Sequence, residues 1–226
     1  MRKTYLFTVK ICGITRPEDA LASASAGADA IGLNFYPKSP RAIGLDRARE
    51  IIAVLSAEIV KGGLFVNAEA AFICETFDAL GLDLIQLHGD EPPQLLAALG
   101  GRPAMKAFRA SGAEGLQAIA NYLDACRSLE CPPKMVLLDA PSAANFGGTG
   151  KLADWSLAKQ YRERGNTPPL VLAGGLKPGN VAAAIHATGV RAVDTASGVE
   201  SQPGIKDETT VKQFVLAAKQ GLAPGG

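Results

Sequence analysis

The apolar positions of the chain gather in short, nearly continuous runs rich in Val, Ile and Leu, at residues 9–14, 28–35, 59–66, 82–87, 104–108, 135–139, 170–172 and 191–195. A strand with one wet face alternates apolar and polar residues, so unbroken runs predict strands buried on both faces of a parallel sheet. Between them lie Ala- and Leu-rich stretches of helical period, including residues 17–25, 47–55, 69–80, 114–125 and 181–188, and a last one at 209–220 closes the series. Eight strands alternating with eight helices imply crossover connections, in either an open doubly wound sheet or a closed barrel.

A repeat favours the barrel. The helix-to-strand junction AGADAIGL at 26–33 returns as LGLDLIQL at 80–87 and as TGVRAVDT at 188–195, placing Gly27, Gly81 and Gly189 54 and then 108 residues apart. The unit thus recurs at nearly constant length, and a chain of 226 residues has the usual size of such a barrel. The expected fold class is α/β, a single (β/α)8 barrel over residues 1–221, with 222–226 a short flexible tail.

Composition narrows the function. With 47% hydrophobic and 20% charged residues and a net charge of +1, nothing points to nucleic acid or a membrane surface. The first residues reach Lys10 before any apolar run long enough for a signal sequence, so a cytoplasmic protein is expected. The four cysteines are scattered, and the only close pair, Cys126 and Cys131, stands in a chain with two histidines. That pattern argues against a disulfide framework or a metal site.

Barrel enzymes work at the C-terminal ends of their strands, so polar residues there carry the chemistry. In VKICGIT, Lys10 and Cys12 share a face by two-residue alternation, and the apolar Val9 and Ile11 suit the helix side. Lys10 and Cys12 therefore point into the lumen, where an unpaired lysine is costly. Its charge is expected to favour thiolate at Cys12. A lone Cys is otherwise a small buried apolar residue. In MVLLDA, Asp139 closes the inward face of the sixth strand and is followed by a Gly-rich stretch rather than directly by a helix, which weakens a helix-cap reading. A carboxylate and a thiol at one barrel mouth make a candidate acid and base.

Glycines cluster after the last two strands, in LAGGLKPGN at 172–180 and ASGVE at 196–200. Phosphate-binding barrels place backbone N–H groups there, although tight turns use the same residue. GGTGK at 147–151 fails the nucleotide-loop pattern, with Asn145 and Leu152 at two required positions, and reads as a mobile loop able to close over a substrate. Arg41, in the proline-stiffened FYPKSPR, could grip a carboxylate with two parallel hydrogen bonds. Asp194 and His88 are further mouth residues; His88 could equally be structural, and His186, on a helix, is read as structural.

Taken in order, KICGIT (10–15), FYPKSPR (35–41), GLFVN (63–67), QLHGDE (86–91), GGTG (147–150), LAGGLKPGNV (172–181) and VDTASGVE (193–200) resemble phosphoribosylanthranilate isomerase, of tryptophan biosynthesis. The resemblance spans nearly the whole chain and implies a cofactor-free Amadori rearrangement with no metal. It implies Asp139 as general acid and Cys12 as general base. Arg41 would hold the anthranilate carboxylate and Asp194 a sugar hydroxyl, with Lys10 and His88 also at the substrate. Gly174, Gly175, Ser197 and Gly198 match the phosphate cradle. Thr195 and Ala196 depart from the smaller serine- or valine-type residues expected there, and residues 102–134 carry no signature.

The expected partner is the small-molecule phosphosugar-anthranilate substrate, with no nucleic acid or membrane and with the chain a monomer or homodimer. A synthase-like lyase would place a lysine and glutamates at other strand ends. A pentose-phosphate epimerase would need metal ligands. A non-catalytic phosphosugar-binding barrel would bind without turnover.

Overall fold

A computed structural model describes residues 5–140 and 153–223. Eight strands form a closed, all-parallel barrel in sequence order: β1 (Val9–Cys12), β2 (Ala30–Asn34), β3 (Val60–Phe65), β4 (Leu84–Leu87), β5 (Ala104–Arg109), β6 (Met135–Asp139), β7 (Leu170–Leu172) and β8 (Ala192–Thr195). The ring closes where β1 pairs with β8, setting Lys10 opposite Asp194. Among the described residues eight α-helices surround it: α1 (Pro17–Ser25), α2 (Leu45–Ala53), α3 (Ala70–Leu80), α4 (Pro93–Ala98), α5 (Gly112–Ser128), α6 (Trp155–Glu163), α7 (Val181–Thr188) and α8 (Glu208–Leu222). The barrel excludes the doubly wound alternative.

Both faces of the strands are covered, which is why their apolar runs are unbroken. Val9, Ile11, Ile31, Leu33, Ile85, Val136 and Leu138 pack outward with the helices in one large core. Ala30, Leu84, Met105, Met135, Leu137 and Val171 point inward and fill the lumen. The sequence repeat has a backbone cause. Gly81 and Gly189 end α3 and α7 in the left-handed conformation, with φ of 58° and 66°. Only glycine adopts that conformation without strain while turning the chain into the next strand.

Two features differ from the sequence expectation. The runs overshoot the paired strands, mostly at their N-terminal ends, because junction residues such as Ala28 and Leu82 are buried against helices without joining the sheet. After β8 the chain makes an unanticipated hairpin, β9 (Glu200–Gln202) with β10 (Ile205–Lys206), whose strands are too short to show a period.

One lumen position is tuned by size. A Cβ built on Gly32 of β2 would lie 2.6 Å from Cys12 Sγ and 3.0 Å from Lys10 Nζ. Gly32→Ala is therefore overpacked. We expect a loss of about 1–3 kcal/mol of stability, read as a lowered urea midpoint.

Candidate active site

Lys10 sits fully inside the lumen, 1% exposed. Burying an ammonium is tolerable only when each of its protons finds an acceptor. Its Nζ donates to Asp194 Oδ2 at 3.0 Å and to Gln86 Oε1 at 2.9 Å, and the Cys12 thiol lies beside it. Burial opposes the charge, but Asp194 and Cys12 outweigh it and hold the Lys10 ammonium above its ordinary pKa. Asp194 is pushed up by burial against the pull of Lys10. Its Oδ1 is buried with no hydrogen-bond partner among the described residues.

Cys12 lies in the lumen as alternation requires, on the side of the barrel mouth. Burial pushes the thiol up and Asp194 adds to it, while Lys10 pulls it down, as expected, and Lys206 with it. The net shift is upward, leaving thiolate the minor form at neutral pH.

Asp139 ends β6 as predicted and is 8% exposed. Its Oδ1 accepts the Ala140 N–H at 2.7 Å, while Oδ2 lies 3.1 Å from His88 Nε2. His88 Nδ1 in turn lies 2.9 Å from Gln86 Nε2. Gln86 escaped the sequence reading. The signal was available, because Gln86 is on β4 two residues before His88, and two-residue alternation turns both to the inside.

Arg41 reaches the site from the loop after β2. Ser39 Oγ accepts the Arg41 N–H and an Asn34 side-chain N–H, and Asn34 Oδ1 accepts the Tyr36 N–H, so the loop is held from within. Contrary to a fork open to a ligand, Arg41 Nε and Nη2 already donate to Glu200 Oε1 and Oε2 at 2.7 and 2.6 Å. Lys206 Nζ donates to the same Glu200 Oε1 at 2.8 Å. Burial would raise the Glu200 carboxyl, yet Arg41 and Lys206 prevail and hold it below the usual range. Glu200 and Lys206, from the β9–β10 hairpin, were not foreseen, since nothing in the sequence pairs them with a residue about 160 positions earlier. Arg41 can present only its remaining Nη1 and Nη2 protons.

The two glycine loops lie together. Thr195 Oγ1 donates to Leu176 O at 2.8 Å, and a Cβ on Gly198 would run into the same carbonyl. Thr195, the apparent departure from the family pattern, thus clamps the loop after β8 to the loop after β7. Gly174 and Gly175 both take positive φ, and Ser197 opens a single 3₁₀ turn, Ser197–Val199. The loop at 147–150 lies outside the described residues. His186 is exposed on α7. Among the described residues no group of three His, Cys, Asp or Glu could hold a metal ion.

Behind His88 lies a second buried ion pair. Glu91 accepts the Asn67 and Gly89 N–H groups, and Lys106 Nζ donates to Glu91 Oε2 at 2.8 Å and to Gly89 O at 2.7 Å. Lys106 lies in the stretch that carried no sequence signature, and it pins the loop that follows His88 to β5.

The family model described as N-(5′-phosphoribosyl)anthranilate (PRA) isomerase matches residues 9–217. An N-(5′-phosphoribosyl)anthranilate isomerase of Citrifermentans bemidjiense is 48% identical over 94% of this chain and 97% of its own. One from Stutzerimonas stutzeri is 49% identical over 91% and 94%. The crystal structure of phosphoribosyl anthranilate isomerase from Thermotoga maritima superposes with a TM-score of 0.84 at 40% identity, covering 95% of this chain and 99% of that one. Another such structure, in complex with reduced 1-(o-carboxyphenylamino)-1-deoxyribulose 5-phosphate, gives 0.81 at 39% identity, with the same coverage.

Lys106→Met leaves the Glu91 carboxylate buried without its cation. Removing one partner of such a pair costs about 3–5 kcal/mol, which urea unfolding of the purified variant will read directly.

Proposed function

Because the chain belongs to the N-(5′-phosphoribosyl)anthranilate isomerase family, we propose that Asp139 and Cys12 divide the reaction of that family between them as acid and base. The chain is an isomerase of tryptophan biosynthesis acting on a small molecule. The reaction is the Amadori rearrangement of N-(5-phosphoribosyl)anthranilate to 1-(2-carboxyphenylamino)-1-deoxyribulose 5-phosphate. The observation that carries the assignment of roles is the pairing, at one lumen mouth, of a buried thiol on β1 and a buried carboxyl on β6.

Asp139 gives its proton to the ribose ring oxygen. The C1–O bond breaks with its electron pair on oxygen, and the anthranilate nitrogen lone pair forms the C1=N iminium. Cys12 as thiolate then takes the proton from C2, and the freed pair makes the C1=C2 bond while the iminium electrons return to nitrogen. In the resulting enolamine, C1 gains a proton and the 2-hydroxyl loses one to give the ketone. The proton count closes, and both groups reset, when the Cys12 thiol supplies the first and the Asp139 carboxylate receives the second.

The remaining residues bind. Asp194 Oδ1, a buried acceptor without a partner among the described residues, suits a sugar hydroxyl. The Arg41 protons not taken by Glu200 suit the anthranilate carboxylate, and the loops at Gly174–Gly175 and Ser197–Gly198 suit the phosphate. Lys10 and His88 complete the floor. No helix among the described residues is long and apolar enough to cross a membrane. The ordinary composition and net charge of +1 suit assignment as a cytoplasmic enzyme. A phosphoribosylanthranilate isomerase of Thermotoga maritima is dimeric, and the present chain is assigned as a monomer or homodimer.

Turnover of N-(5-phosphoribosyl)anthranilate by purified protein without added metal tests the activity. In that assay Asp139→Asn and Cys12→Ala should each lower kcat by about 10²–10⁴-fold while leaving substrate affinity near that of the parent. Equal losses of affinity and turnover would sink the role assignment. Arg41→Ala should act the other way, raising KM with kcat largely kept.

A further inference from the structure

Beside the base begins an unbroken sequence of hydrogen bonds that ends at the acid, Lys10 to Gln86 to His88 to Asp139. Its directions follow from chemistry alone. An ammonium has protons and no lone pair, so the amide atom of Gln86 that faces Lys10 Nζ must be the carbonyl oxygen. The Gln86 NH₂ group then faces His88 Nδ1, and because NH₂ only donates, Nδ1 must offer a lone pair. The imidazole proton is left on Nε2, where it points at Asp139 Oδ2. Any Nδ1–H would be set against the Gln86 N–H.

We infer that Gln86 is a positioning residue for the reaction, holding His88 as the Nε2–H tautomer so that the ring turns no lone pair toward Asp139 and cannot take the proton of the acid. A histidine beside a carboxyl ordinarily competes for that proton, giving imidazolium and carboxylate. Here the competition is settled from the far side of the ring, by an amide whose own orientation Lys10 dictates. Since an amide does not relay protons under these conditions, the chain transmits orientation and not charge. Gln86, Lys10 and His88 are buried, so no bulk water resets the arrangement. The inference rests on Asp139 being the general acid.

The chain has only two histidines, His88 and His186, which makes the test direct. Full-length protein labelled with ¹⁵N-histidine, at a fixed pH of about 7.5 where an unperturbed imidazole is mostly neutral, is measured by long-range ¹H–¹⁵N correlation. His186→Gln, on an exposed helix face, assigns the signals. Parent protein should show His88 with a pyridine-like Nδ1 and a pyrrole-like Nε2. Gln86→Glu keeps shape and keeps an acceptor for Lys10, yet it replaces the donor facing Nδ1 by an acceptor. It should move a proton onto Nδ1 and lower kcat about 10–100-fold with little change in KM, in line with the cost of misorienting a catalytic histidine or its supports. Gln86→Met, which neither donates nor accepts, should give a mixture of ring forms and a smaller loss. An Nδ1–H or doubly protonated ring in the parent, or an unmoved ring in Gln86→Glu, would overturn the inference. A moved ring with unchanged kcat would overturn the role in the reaction. Retained turnover in Asp139→Asn would instead remove the acid assignment beneath it.

Discussion

An ammonium buried on the barrel axis constrains everything around it. Lys10 can stay charged there only because β8 brings Asp194 to it and β4 brings Gln86. Space matters as much as charge, and the bare positions Gly32 and Gly62 on β2 and β3 leave room along its stem and head. A buried ion pair of this kind contributes little net stability. What it supplies is registration, because β1, β4 and β8 must meet at fixed heights for the ammonium to be satisfied.

From that fixed point the site divides into tiers. Immediately above it are the groups assigned to proton transfer, Cys12 and the His88–Asp139 pair. Outside them stands an ionic rim in which Glu200 gathers Arg41 and Lys206. A further support, Glu91 with Lys106, keeps the turn after His88 against β5. Loops are mobile by default because few of their groups are tied down. Here the loops after β2, β4, β7 and β8 are each fastened by a named side chain: Ser39, Glu91, Asn180 and Thr195. One carboxylate, one amide and two hydroxyls thus perform the work that hydrophobic packing performs beneath the strands.

Much of this was legible in the sequence, for a physical reason. Burial on both faces produces unbroken apolar runs, so the eight strands could be read, and alternation within them sent Lys10, Cys12 and Asp139 inward. What could not be read is pairing across long separations. Gln86 is 76 residues from Lys10, Glu200 is 159 from Arg41 and Asp194 is 184 from Lys10. No local pattern links such positions, and β9 and β10 are too short to announce themselves. The charge state of Cys12 was out of reach for a related reason. The neighbouring cation is visible in the sequence, whereas the extent of desolvation is known only once all eight strands are in place.

The distance along the chain between Lys10 and Asp194 also bears on how the molecule is made. As the polypeptide leaves the ribosome, Lys10 appears among the first residues and its carboxylate only after nearly the whole barrel has been synthesised. Until then a charged Lys10 has no carboxylate beside it, and drying the first strands around it carries the cost of an unpaired buried charge. The last strand delivers both the closing edge of the sheet and the counter-charge.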